Sequence, residues 1–298
     1  MKPRRVPKAR FAAIVLVLVS ALLVAFLVAC PPVTVRPASP TTTAVPRRLD
    51  SSVSHAPIGA ATFPEHPRPE KEGLVALIID DAGYNLDELR AFLALPGPFT
   101  VAVLPNLPHS SEAARMVVAA GKDLILHCPM EAEGNEDPGP GALRVGQTPS
   151  EIESLLARAF ASVPGALGMN NHMGSRATAD EALMTVVLGY LKREGKIYID
   201  SRTTPATVGP RIALSLGVPS AQRNVFIDDE TGPEQIAAAW SRGVEEARTR
   251  GSAILIGHVQ NRAVVDILKA GEMDLPDRQV RLARLAEVIA VRERNPTE

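Results

Sequence analysis

Seven short apolar runs recur along the chain: Leu74–Ile79, Phe99–Leu104, Asp123–Leu126, Ala166–Met169, Lys196–Ile199, Asn224–Ile227 and Ala253–Ile256. Helical patterns separate or follow them near 86–95, 110–120, 150–162, 179–194, 209–216, 233–250 and 261–269. A strand that is apolar almost throughout must be covered on both faces, and strands that alternate with helices pair in parallel. The chain is thereby constrained to an α/β fold. Seven such units over about 220 residues suit a (β/α) barrel, distorted or incomplete, with an open doubly wound sheet as the alternative. Ser150 with Glu153, and Thr178 with Glu181, predict capping boxes at two helix starts.

In either arrangement, reacting groups sit beyond the carboxyl ends of the strands. Those positions carry Asp80–Asp81, His127, Asn170-Asn171-His172, Asp200 with Arg202, Asp228–Asp229 and His258, so three of the six histidines fall there. Neighbouring carboxylates point to opposite sides of a strand unless the strand has ended, so Asp80 and Asp81 can take different tasks around one ion. One carboxylate with two imidazoles is a half-open shell that leaves room for water and substrate. A metal held there lowers the pKa of bound water to about 7 and polarises a carbonyl. The same residues also have plain structural uses. The aspartates can cap the following helices, the histidines can be hydrogen-bonded core or turn residues, and Asp200 and Arg202 can fix a loop. Asn170 and Asn171 can shape a tight turn or donate to an oxyanion. For Asp228–Asp229, capping the helix near Pro233 is the more economical reading. Cys128 is expected to be a packed thiol pointing away from His127. Glycine-rich phosphate loops and the Gly-x-Ser-x-Gly elbow are absent, which counts against a nucleotide cofactor and a serine nucleophile.

The near balance of 32 Lys+Arg against 33 Asp+Glu hides an asymmetry. Residues 1–72 hold 10 basic and 4 acidic side chains, and the remainder 22 and 29. An acidic main domain argues against nucleic acid as a partner. Lys2, Arg4, Arg5, Lys8 and Arg10 precede Phe11–Cys30, twenty residues without a charge. At about 1.5 Å per residue this stretch matches a bilayer core of about 30 Å, and the basic flank favours a cytoplasmic N-terminus. Residues 1–30 therefore read as an uncleaved membrane anchor. Because Leu27-Val28-Ala29-Cys30 resembles a bacterial lipobox, a lipoprotein signal with Cys30 lipidated is the other reading. Residues 31–72, with nine prolines, read as a disordered linker. The domain over 73–298 would then face the periplasm or the cell exterior of a bacterium.

Six segments carry a family resemblance: LVALIIDDAGYN (Leu74–Asn85), FTVAVLPNLPHS (Phe99–Ser110), LHCPME (Leu126–Glu131), GMNNHMGSR (Gly168–Arg176), YIDSRTT (Tyr198–Thr204) and ILIGH (Ile254–His258). Together they resemble the divergent polysaccharide deacetylase family, which is related to the metal-dependent NodB-type carbohydrate esterases. The resemblance implies a distorted (β/α) barrel of about seven parallel strands. It also implies a metal-dependent deacetylase acting on an N- or O-acetylated cell-envelope polysaccharide. By that resemblance Asp80 is the base, Asp81 a metal ligand and His258 the acid. Two departures stand out: His127-x-x-x-Glu131 replaces the His-x-x-x-His metal pair, and the Asn-Asn-His segment replaces Arg-x-Pro-x-Gly. His172 is therefore inferred as the second imidazole, giving Asp81, His127 and His172 around one divalent metal, with Glu131 in reserve. Zinc is the first expectation, with manganese, cobalt or nickel as alternatives. Asn170, Asn171, Asp200 and Arg202 are assigned to substrate contact or to support of the ligands. The rival readings are a catalytically silent glycan-binding or envelope-scaffold protein on the same fold, and a hydrolase of another bond.

Overall fold

The first apolar run is strand β1, Gly73–Ala82, an interior strand of a nine-stranded sheet. The others are β2 (Thr100–Val103), β3 (Asp123–Met130), β4 (Gly168–Met173), β5 (Ile197–Asp200), β6 (Ser220–Gln222), β7 (Val225–Phe226), β8 (Ser252–His258) and β9 (Val280–Leu282). The structure, a computed structural model, describes residues 72–272 and 275–294. Eight helices join the strands: α1 (Leu86–Leu93), α2 (Ser110–Ala119), α3 (Pro149–Ser162), α4 (Glu181–Arg193), α5 (Gly209–Leu216), α6 (Pro233–Arg250), α7 (Arg262–Glu272) and α8 (Leu285–Arg294).

The spatial order is β6-β5-β4-β3-β2-β1-β8-β7, with every ladder parallel. Strand β8 takes one edge of β1 from Leu74 to Asp80. The other edge is shared: β9 pairs with Gly73–Val75 and β2 with Ile78–Ala82. The two ends of this path, β6 and β7, are consecutive in the chain. Gln222 pairs with Asp200 and Val225 with Leu255, so two sheet edges are joined by a three-residue step of at most about 10 Å. That step forces the sheet to curl into a half-barrel. An open doubly wound sheet is thereby excluded.

Strand alternation sorts the core into two layers. Val75, Leu77, Ile79, Val101, Val103, Leu124 and Leu126 face outward and pack on helices through Leu89, Phe92, Val117, Ile152 and Leu156. Leu74, Ala76, Ile78, Ala102, Ile125, Ile199, Ile254 and Ile256 face inward, where Leu285, Val288 and Ile289 of α8 join them. Cys128 belongs to the outer layer, as expected, and burial pushes its thiol up to about 12.

Two elements of the sheet, β6 and β9, have no counterpart among the predicted strands. Each is three residues long, and neither SAQ nor VRL carries the apolar run that marks the others. The capping boxes also shift. Pro149 occupies the first turn of α3, so Thr148 with Glu151 forms the box instead of Ser150 with Glu153. Asp180 caps α4, while Thr178 sits in a short 3₁₀ turn and bonds the carbonyl of Gly174. Among the described residues no helix is long and apolar enough to cross a membrane. The expected anchor or signal over 1–30 and nearly all of the expected linker over 31–72 lie outside the described residues.

Candidate metal centre

The inward-facing series that runs Leu74, Ala76, Ile78 continues to Asp80 at the carboxyl end of β1. By the same period of two, Ile125 leads to His127 on β3, and Ile254 and Ile256 lead to His258 on β8. Asn170 and His172 share the inner face of β4, with Asn170 opposite His127 in the ladder. Asp81 breaks the alternation. Its φ is +65°, and the register of β1 with β2 shifts between Ile79 and Ala82. The resulting bulge turns a second carboxylate toward the same end of the barrel. The sequence allowed this only if the strand had ended; the structure achieves it by bending the strand.

Three donor atoms from three strands converge. Asp81 Oδ1 lies 3.2 Å from His127 Nε2 and 3.1 Å from His172 Nδ1, and the two ring nitrogens are 3.1 Å apart. Asp81 Oδ1 is buried and makes no hydrogen bond of acceptable geometry, although both nitrogens are close. The two ring nitrogens are within hydrogen-bonding geometry of each other, and the carboxylate oxygen closes the triangle. A tetrahedral ion with ligand bonds of 2.0–2.1 Å would separate its donors by about 3.3 Å, and this triangle is nearly that size. The donor set therefore fits one divalent ion, and it is the one Asp/His cluster of its kind among the described residues. The His127 side chain is 3% exposed and that of His172 22%, so the triangle opens on one side only.

Asn170 orders the floor of the site. Its Nδ2 donates to both oxygens of Asp80, at 2.8 and 3.1 Å, and its Oδ1 lies 2.7 Å from His127 Nδ1. Since the amide nitrogen faces the carboxylate, the amide oxygen must accept, and His127 carries its proton on Nδ1. That tautomer leaves the Nε2 lone pair facing the triangle. Asn170 therefore neither shapes a turn nor stands free to meet an oxyanion.

Burial raises the pKa of Asp80 above its ordinary value, despite His127, His258 and the Asn170 amide acting the other way. Burial also opposes ionisation of Asp81, but the adjoining imidazoles of His127 and His172 outweigh it and hold this carboxyl far below the usual range. Burial disfavours charge on His258 too. The Asp228 hydrogen bond and the charges of Asp80, Asp228 and Asp81 prevail, pushing His258 up to about 9.

Asp228 is the residue that sequence reasoning misjudged. It caps nothing: Gly232 precedes α6 without a side-chain cap bond. Its Oδ1 meets His258 Nδ1 and its Oδ2 accepts from the His258 backbone N–H, both at 2.9 Å. The usable signal was its place at the end of a strand beside the one that carries His258. Nor do Asp80 and Asp81 cap α1, whose cap is Asn85.

Other expected site residues do not reach the triangle. The carboxylate of Glu131 accepts from the Val145 N–H and from Arg176, so the reserve ligand is engaged elsewhere. Asn171 ties β4 to the loop after β5 by accepting from the Ser201 N–H and donating to Thr203 Oγ1, and it also donates to the carbonyl of Met173 in its own strand. Asp200 accepts from the Arg202 N–H and from Thr207 Oγ1, which makes it a loop anchor, and Arg202 is exposed. Gln260, which sequence gave no reason to single out, donates to Asp81 Oδ2 at 2.9 Å.

Residues 77–289 match the family described as divergent polysaccharide deacetylase. An uncharacterized protein of Haemophilus influenzae Rd is 34% identical over 203 residues, covering 68% of this chain and 72% of its own. The uncharacterized protein YibQ of Escherichia coli K12 is 35% identical over 208 residues, covering 70% of this chain and 65% of its own. The crystal structure of an uncharacterized protein from Agrobacterium tumefaciens C58 superposes with a TM-score of 0.70 at 19% identity, covering 75% of this chain and 92% of that one. This chain belongs to the divergent polysaccharide deacetylase family, and it has the fold of the Agrobacterium protein.

Proposed function

We propose that the protein is a metal-dependent hydrolase that removes N- or O-acetyl groups from a cell-envelope polysaccharide. The observation that carries the reading is the triangle of Asp81, His127 and His172, in which the buried Asp81 Oδ1 faces both imidazoles without a hydrogen-bond partner. These three residues would hold one divalent ion, zinc before manganese, cobalt or nickel. When bound, such an ion supplies a polarised carbonyl and a water acidified toward pKa about 7. Asp80, lifted by burial and oriented by Asn170, takes the proton of the attacking water. His258 gives its proton to the departing amine or alkoxide, and Asp228 keeps that imidazole charged and aimed. A cavity of about 360 Å³ beside His258, lined by Asp228, Thr231, Gln260 and Asn261, suits the sugar that bears the acetyl group. Its lining offers amides and a hydroxyl for sugar hydroxyls.

Acetate release from acetylated glycans by the full-length chain tests this. Turnover should need metal and fall by at least about 10²-fold in Asp80→Asn and in His172→Ala. Glycan binding unchanged by chelation, with no acetate released, would overturn the proposal in favour of a silent glycan-binding protein. We further place the enzyme outside the cytoplasmic membrane, tethered through residues 1–30 and spaced by the proline-rich segment. The basic flank and uncharged stretch Phe11–Cys30 support that reading. Protection of the domain from protease in spheroplasts would count against it.

A further inference from the structure

The two oxygens of Asp81 have different partners. Oδ1 belongs to the donor triangle, while Oδ2 accepts a 2.9 Å hydrogen bond from Gln260 Nε2. Asp81 lies on a bulge with positive φ, so the ladder alone does not fix the rotation of its carboxylate. The backbone that presents Gln260 is itself held to β1. The Val259 N–H donates to the carbonyl of Asp80, and the Asn261 N–H closes a turn onto the carbonyl of His258. The amide thus approaches Asp81 from a short turn anchored one residue before that ligand.

We propose that Gln260 is a positioning residue that keeps Asp81 a one-oxygen ligand, an inference that rests on the metal-centre reading above. A carboxylate whose second oxygen is held by an amide N–H presents a single donor, so the protein would offer a bound ion three donors and leave room for water. Released from Gln260, the carboxylate can rotate and chelate through both oxygens, filling the position that the attacking water needs. Gln260 is exposed and also walls the cavity beside His258, so its truncation disturbs little packing.

The test is titration of the full-length chain with zinc and with cobalt(II), comparing wild type with Gln260→Ala and Gln260→Glu. Gln260→Ala deletes the donor. Gln260→Glu replaces it with a like charge at nearly constant shape. Loss of an outer hydrogen bond of this kind weakens metal binding by about 10- to 100-fold, and both variants should show it. Their cobalt(II) spectra should also change, with visible absorption falling as the coordination number rises. Thr231→Ala, in the same cavity wall, should keep wild-type affinity and spectrum. Wild-type affinity and spectrum in both Gln260 variants would overturn the inference and leave the metal centre standing. Weakened binding with an unchanged spectrum would also overturn it, because Gln260 would then act without altering how Asp81 binds. Failure of the wild type to take up either metal would overturn the metal-centre reading and this inference together.

Discussion

His258 and Asp80 share one end of the barrel as register partners on β8 and β1, and their charges are mutually supporting. The imidazole is raised from an ordinary value of 6.5 to about 9, mainly because Asp228 and the nearby aspartates outweigh the cost of burial. A basic group raised on folding stabilises the native state fully below its unfolded pKa, and that contribution disappears as pH climbs through the folded pKa. In the metal-free protein, wild type should therefore exceed His258→Gln in stability by about 2–3 kcal/mol near pH 6. The difference should shrink above pH 6.5 and be lost beyond about 9; urea unfolding across pH 6–10 reads it directly. A gap that stayed constant with pH would mean that His258 contributes only its stacking on Phe226, whose ring centroid lies 5.7 Å away. At this scale the placement of Asp80, His127, His172 and His258 at one end of the barrel was legible, because each ends an apolar strand. The role of Asn170 was not, since nothing in sequence distinguishes an amide in a turn from one that bridges Asp80 and His127. Asp228 was visible but misassigned, because capping depends on a helix start that local sequence locates only to within a few residues.

At the scale of elements, close approach of β4 and β5 depends on Gly168. A Cβ placed there would lie 2.2 Å from the carbonyl oxygen of Ile197, its ladder partner, and 2.4 Å from Ile197 Cγ1; the side chain can turn away, but the carbonyl cannot move without shifting the strand. Gly168→Ala should destabilise the protein by about 1–3 kcal/mol, read as a lower thermal midpoint. Because β4 carries both Asn170 and His172, uptake of metal by the proposed site should weaken with it. An unchanged midpoint would show that the two strands can separate locally without cost. The main strands and helices were predictable from hydrophobic period alone, since burial on two faces imposes a continuous apolar run. Strands β6 and β9 were not, because three residues carry too little pattern. Their pairing is fixed by where the flanking chain delivers them.

On the scale of the whole molecule, the half-barrel depends on α8 at the end of the chain. Leu285, Val288 and Ile289 pack onto the inner layer, and Arg292 bonds the carbonyl of Gln222, Asn224 and Ser252, spanning the step between β6 and β7 and reaching β8. Ending the chain after Arg284 exposes the inner layer and should abolish cooperative unfolding. A truncated protein that kept a sharp transition near the wild-type midpoint would refute that role for α8. The sequence by itself determined the α/β class, the parallel pairing and the positions of the polar residues at strand ends. Those follow from local rules: period two along a strand, and coverage of both faces by helices. Only the tertiary structure decided that the sheet curls, that Asp81 swings out of alternation to join His127 and His172, and that Glu131 and Asp200 are occupied elsewhere. Those outcomes depend on distances between residues far apart in the chain, and no local pattern encodes a 3 Å contact across three strands.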